Sequence, residues 1–246
     1  MAKHIGIVAC SYEGAALCYR IICQEASKLM GRYNHPEITM HTHPLNKYIE
    51  CIDRNDWDGI ADLMIESVKK LAACGSEFAI TPDNTIHRVL NKVKGTSPIP
   101  WISIVDAVGR EIKRHGFTKV GLLGTIYTMQ GPAYPDALKK MGVDLIIPSK
   151  EDQEMINQVI FDELVYGIIS GSSRQKYLKV IEKLREEGCE GVILGCTEIP
   201  LLISQDCSPL PVIDSTKLLA KEALDFSLTQ DPSEFKGFGF IERNRQ

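Results

Sequence analysis

"AACGSEFAITPDNTIH" (residues 72–87) and "REEGCEGVILGCTEIP" (residues 185–200) decide the fold when one is laid on the other. Gly75 falls on Gly188, Glu77 on Glu190 and Asp83 on Cys196, each pair 113 residues apart. In both stretches a glycine precedes a short apolar run that reads as a buried strand, and the run breaks abruptly into polar residues. Two further landmarks keep the same order. "IGIVAC" (5–10) matches "VGLLGT" (120–125) with Gly6 on Gly121, and "SPIP" (97–100) matches "SPLP" (208–211). Offsets that drift by only a few residues mark an internal repeat, so the chain is expected to build one supersecondary pattern twice.

Working outward, short apolar runs alternate with amphipathic segments along the chain. Strands are expected at 4–10, 37–43, 77–81, 100–105, 119–124, 143–148, 191–195 and 211–214, with helical patterns at 56–74, 86–94, 134–141, 152–169 and 173–187. Such alternation implies α/β architecture with parallel strands flanked by helices. With the repeat, it predicts two similar lobes, pseudo-twofold related, with a cleft between them. The first would comprise residues 1–107 plus 215–246, the second 108–214. The closing "DPSEFKGFGFIERNRQ" lacks a clear period and reads as a tail or edge segment.

Composition narrows the function classes. The chain has 246 residues, 44% hydrophobic and 24% charged, and a net charge of −4 without a basic cluster, which argues against a nucleic-acid partner. No apolar run reaches the ~18–20 residues that span a bilayer, and the start "MAKHIGIVAC" reads as a strand, not a signal peptide. A cytoplasmic location is the expectation. The eight cysteines are then read as reduced thiols. His41 and His43 would share one strand face, but no cysteine pattern accompanies them, and no metal is assigned. No GxGxxG, phosphate-binding loop or nucleophile elbow is present, which disfavours a nucleotide cofactor or a serine hydrolase.

In a parallel sheet, sites gather at the carboxyl ends of strands. The repeat would set Asp83-Asn84-Thr85 against Cys196-Thr197-Glu198, with Cys10-Ser11 and Thr125 completing the walls. Two proton-carrying side chains on opposite faces of a small ligand suit a carbon-acid reaction, one removing a proton and the other returning one. Thr125 and Thr128, in "GTIYT", are placed at a helix N-terminus where free N–H groups favour a small anion. Each residue also has a plainer reading. Pro82-Asp83-Asn84 is ordinary turn chemistry, threonines cap helices, and Cys196 could be a buried structural cysteine.

"GCTEIPLL" (195–202), "NTIH" (84–87), "VGLLGT" with Thr128, and "LPVIDST" (210–216) resemble the cofactor-independent aspartate/glutamate racemase family. The resemblance runs from Gly6 to about Ala223. It implies two α/β lobes, a homodimer, and an isomerase that racemises a small amino-acid substrate with two thiols and neither pyridoxal phosphate nor metal. It places one thiol at Cys196 and carboxylate-holding roles on Asn84, Thr85, Thr125, Thr128 and Thr197. Cys10-Ser11-Tyr12-Glu13 takes the place of the family's glycine-rich, methionine-containing turn after the first strand, and Lys47 and Arg174 are candidates for gripping a side-chain carboxylate. The departure is Asp83, which stands where the second thiol is expected. Asp83 could be a working second base, could orient water or repel acidic substrates, or could leave Cys196 to act alone, with Cys10 as a substitute thiol. The chemistry expected is therefore amino-acid racemisation or epimerisation between Asp83 and Cys196. The alternatives are a one-thiol isomerase or decarboxylase of a small carboxylic acid, or a silent small-molecule binder.

Overall fold

The computed structural model describes residues 2–230, so the closing stretch from Asp231 lies outside the described residues. The chain divides into two compact units, one reaching to Ala107 and resuming at Leu219, the other Val108–Leu218. Each is a parallel α/β sheet with helices packed on it.

The first unit runs β1 (Ile5–Ala9), α1 (Tyr12–Met30), β2 (Ile38–Thr42), α2 (Leu45–Asp53), α3 (Trp57–Ala73) and β3 (Phe78–Ile80), then a 3-10 turn (Ile86–Val89) and α4 (Leu90–Thr96). Its sheet order is β2-β1-β3, all parallel. β1 is buried at every residue, as expected of a central parallel strand covered on both faces. Ile60, Met64, Val68 and Leu71 of α3 form one apolar cluster with Val8, Ala79, Tyr48 of α2 and Leu90 and Val93 of α4.

Helix α5 (Ile104–His115) carries the chain into the second unit. There follow β4 (Lys119–Gly124), α6 (Ile126–Met129), α7 (Ala133–Lys140), β5 (Asp144–Ile146), α8 (Lys150–Asp162), a 3-10 turn (Leu164–Tyr166), α9 (Gly171–Glu186), β6 (Gly191–Gly195), α10 (Ile199–Leu202) and β7 (Val212–Asp214). α11 (Ser215–Leu228) returns to the first unit. The sheet order is β5-β4-β6-β7, again parallel.

The repeat holds at the level of single hydrogen bonds. Gly75 after α3 and Gly188 after α9 both take positive φ, +92° and +86°, the left-handed stop that only glycine adopts without strain. Glu77 N–H then bonds His4 carbonyl at 2.9 Å, and Glu190 N–H bonds Lys119 carbonyl at 2.8 Å. The two carboxylates accept from the opposite strand start as well, Glu77 from His4 N–H and Glu190 from Lys119 N–H. The two Ser-Pro stretches also coincide: Ala79 N–H meets Pro100 carbonyl at 2.8 Å, Val192 N–H meets Pro211 carbonyl at 2.9 Å.

Two expectations are corrected. The strand at 100–105 shrinks to one bridge, Trp101 beside Ala79, because Ser103 caps α5, its hydroxyl accepting Asp106 N–H at 3.3 Å. The helix expected at 152–169 ends at Asp162, where Glu163 leaves helical geometry (φ −124°, ψ −64°), and Gly167 at φ +72° turns the chain.

Candidate active site

Within the first unit, the carboxyl ends of β1 and β3 bring Cys10, Ser11, Asp83, Asn84 and Thr85 to one edge of the sheet. Ser11 is the N-cap of α1, its side chain accepting Gly14 N–H at 3.2 Å. Cys10 is buried in the apolar cluster with Tyr48. Burial raises the Tyr48 hydroxyl far above its ordinary range, and the negative charges of Cys10 and Asp83 push it further the same way.

Asp83 is partly buried, and its carboxylate Oδ1 accepts Ile86 N–H at 3.0 Å, capping the 3-10 turn. The turn chemistry read from Pro82-Asp83-Asn84 is thus present. Behind it lies His87, to which the motifs assigned no role. Its Nε2 accepts Ile104 N–H at 3.0 Å, which fixes the proton on Nδ1, and Nδ1 donates to Asp83 carbonyl at 2.5 Å. Burial drives the imidazole down to about 4; the bond to Asp83 carbonyl opposes this and Lys94 adds to it.

That shift carries a stability consequence. The unfolded ring takes up a proton near 6.5 and the native ring near 4, so the contribution is complete above pH 6.5 and is lost as pH falls toward 4. The loss is about 3 kcal/mol at ~1.4 kcal/mol per pK unit. Urea midpoints at pH 7, 5.5 and 4 are expected to fall more steeply for the native chain than for His87→Gln; parallel profiles would refute this account.

In the second unit, β4 and β6 end in register, Gly124 beside Gly195, and present Thr125, Thr128, Cys196 and Thr197. No side chain fits at this pair: a Cβ on Gly124 would stand 2.8 Å from Gly195 carbonyl oxygen, and one on Gly195 would stand 3.0 Å from Leu123 carbonyl oxygen. Cys196 is buried, and its Sγ–H donates to Glu198 Oε2 at 2.9 Å; Thr197 hydroxyl donates to the same oxygen at 2.9 Å. Glu198 is itself buried. A thiol held on a buried carboxylate has a proton acceptor in place, which a structural cysteine does not require. Tyr177 of α9 lies within the field of this pair. Its ionisation is raised by burial first, then by Cys196, Glu163 and Glu198.

Two of the N–H groups expected to be free at the start of α6 are occupied. Ile126 N–H bonds Asn157 Oδ1 at 3.0 Å, and Thr128 N–H bonds Thr125 hydroxyl at 3.1 Å. The Thr125 and Thr128 hydroxyls bond each other at 3.2 Å. The other candidates serve elsewhere. Arg174 donates Nε to Leu202 carbonyl at 2.9 Å, tying α9 to the end of α10, and Lys47 is exposed on α2. His41 and His43 stand edge to face at 4.8 Å, but His41 Nδ1 bonds Ser67 hydroxyl at 3.0 Å and its Nε2 faces Lys70 Nζ at 3.2 Å. Among the described residues no three His, Cys, Asp or Glu side chains stand together as metal ligands. Nor, among them, is any helix long and apolar enough to cross a membrane.

Glu198 and Asn157 are the other residues that sequence reasoning left without a role. Glu198 had a signal, two residues beyond a candidate thiol; Asn157 had none, because its partner lies 31 residues away.

Residues 7–223 match the family described as Asp/Glu/hydantoin racemase. A Yersinia pestis structure described as a candidate Asp/Glu racemase is 34% identical, with a TM-score of 0.85 over 92% of this chain and 100% of its own. An aspartate racemase homologue from Pyrococcus horikoshii is 30% identical, with a TM-score of 0.80 over 92% of this chain and 99% of its own. The broad specificity amino-acid racemase of Bacillus subtilis is 27% identical over 82% of this chain and 86% of its own. Carrying the thiol–carboxylate pair of Cys196 and Glu198 on a twice-built parallel sheet, the chain belongs to the Asp/Glu/hydantoin racemase family and with it to the isomerases.

Proposed function

We propose that the chain racemises or epimerises a free amino acid by proton transfer at Cα, with Asp83 serving one face and Cys196 the other and no added cofactor. The observation that carries this reading is the buried Cys196 Sγ–H bonded at 2.9 Å to Glu198. Cys196 stands 113 residues beyond Asp83, at the equivalent strand end of the repeat. In one direction Asp83 carboxylate takes the Cα proton, the electron pair is held against the substrate carboxylate, and Cys196 delivers its proton to the other face. Sulfur is left as thiolate and Asp83 as the acid. In the reverse direction the thiolate abstracts and Asp83 returns the proton. Glu198 accepts the bond from Cys196 Sγ–H at 2.9 Å and so orients the thiol that gives up and regains this proton. Asn84, Thr85, Thr125, Thr128 and Thr197 are proposed to hold the substrate carboxylate, with Cys10 and Ser11 as further substrate-binding residues.

The substrate side chain is proposed to be neutral or basic. Asp83, Glu163 and Glu198 supply negative charge, Lys47 is exposed, and Arg174 is tied to Leu202. A second reading draws on a specific observation: Asp83 Oδ1 is already engaged as the cap on Ile86, which would suit chemistry by Cys196 alone.

The test is incubation in D2O with L- and D-amino acids of acidic, neutral and basic type, without added cofactor, following the Cα–H signal by NMR and chirality by chromatography. Exchange with inversion is expected, faster for neutral or basic amino acids than for aspartate or glutamate. Exchange with retention would leave one catalytic face, and no exchange with any amino acid would overturn the reading.

A further inference from the structure

We infer that His87 is a positioning residue for Asp83, a neutral imidazole strut between the loop after β3 and the first residue of α5. The inference rests on the two-base reading above. The ring has two contacts and one proton to satisfy them. Nδ1–H donates to Asp83 carbonyl at 2.5 Å while the lone pair of Nε2 accepts Ile104 N–H at 3.0 Å. The other tautomer would set a lone pair against the carbonyl and a hydrogen against the N–H, so both contacts would turn repulsive. Only one neutral state fits.

The strut acts on the backbone from which the Asp83 carboxylate projects. Asp83 carbonyl is held by His87 and its Oδ1 by Ile86 N–H, so the first bond fixes the main chain and the second restrains the side chain. His87 is buried, so water does not compete for either ring nitrogen. Its partner Ile104 opens the helix by which the chain leaves the first unit, which ties the Asp83 loop to a helix start 17 residues away.

The second unit does not repeat the histidine. The position 113 residues beyond His87 is Pro200, and the position equivalent to Glu198 in the first unit is Thr85. Each half holds its proton carrier differently: the thiol is bonded directly to a carboxylate, whereas Asp83 is held through its main chain by a histidine. This difference accompanies a carboxylate in one half where the other has a thiol, Asp83 against Cys196.

The experiment is a double-mutant cycle on the full chain, read as kcat and KM with the amino acid that exchanges fastest in the D2O panel. His87→Asn keeps an amide N–H near Nδ1 and is expected to stay within about threefold of wild type in kcat. His87→Gln places its amide near Nε2 and loses the donor to Asp83 carbonyl; kcat is expected to fall tenfold or more with KM little changed. In an Asp83→Asn background, His87→Gln is expected to add no further loss, because the group it positions is gone. A loss that persists undiminished in that background, or His87→Asn as impaired as His87→Gln, would overturn the inference while leaving the two-base reading intact. If Asp83→Asn itself leaves kcat unchanged while Cys196→Ser abolishes it, the two-base reading fails and the inference with it.

Discussion

Cys196→Ser is expected to lower Cα inversion by about 10³-fold, while binding of the same amino acid stays close to that of the native chain. The substitution keeps shape and hydrogen-bonding capacity: a hydroxyl at this position still donates to Glu198, as Thr197 does at 2.9 Å. What it removes is acidity. A thiol with a reference pKa near 8.5 is within a few units of neutrality and gives its proton to a carbanion or yields it to a base; a hydroxyl is far weaker as an acid. Binding measured by calorimetry and inversion measured by chiral chromatography therefore separate. An unchanged inversion rate would mean that Cys196 carries no proton, and loss of binding in step with turnover would mean that it shapes the site instead.

The parts of this arrangement that the sequence displayed are those imposed locally. Gly75 and Gly188 stand where φ must be positive after a helix, and Glu77 and Glu190 stand where a strand start leaves N–H groups to satisfy. Constraints of that kind recur at fixed spacing, so the repeat and its strands could be read. Helix α5 hid because "PWISIV" is rich in β-branched residues, and only Ser103 as a cap turns it from strand to helix. That Ile126 N–H, beside Thr125, is occupied was not legible because its partner Asn157 belongs to a helix 31 residues further on. His87 was quoted within "NTIH" without a role, since one of its two contacts is a main-chain N–H 17 residues away. Long-range side-chain contacts of this sort leave no period in the sequence.

Asp83→Cys is expected to raise kcat/KM for inversion tenfold or more, and by the same factor in both directions. The equality is thermodynamic: for an amino acid with one stereocentre the two enantiomers have equal free energy, so the ratio of the two kcat/KM values is fixed at unity whatever the catalytic groups. The gain has a specific source. With Asp83 and Cys196, the enzyme form that accepts one enantiomer (carboxylate and thiol) and the form that accepts the other (carboxylic acid and thiolate) differ by the gap between reference pKa values of ~3.9 and ~8.5. That gap amounts to about 6 kcal/mol. Desolvation of Asp83 narrows it but does not abolish it unless the two groups match. Two thiols match by construction, and the mismatch leaves the barrier. Against this stands a smaller cost. Sulfur is a poor acceptor for Ile86 N–H, so the cap now made at 3.0 Å weakens, by about 1 kcal/mol in fold stability. Thermal unfolding should therefore show a modestly less stable protein that racemises faster. The balance of exchange and inversion gives an independent check, since a carboxyl group that returns solvent deuterium to the face it deprotonated produces exchange with retention. That product should be prominent in the native chain and diminish in Asp83→Cys. Unchanged rates together with an unchanged retention fraction would show that Asp83 is a turn residue and nothing more.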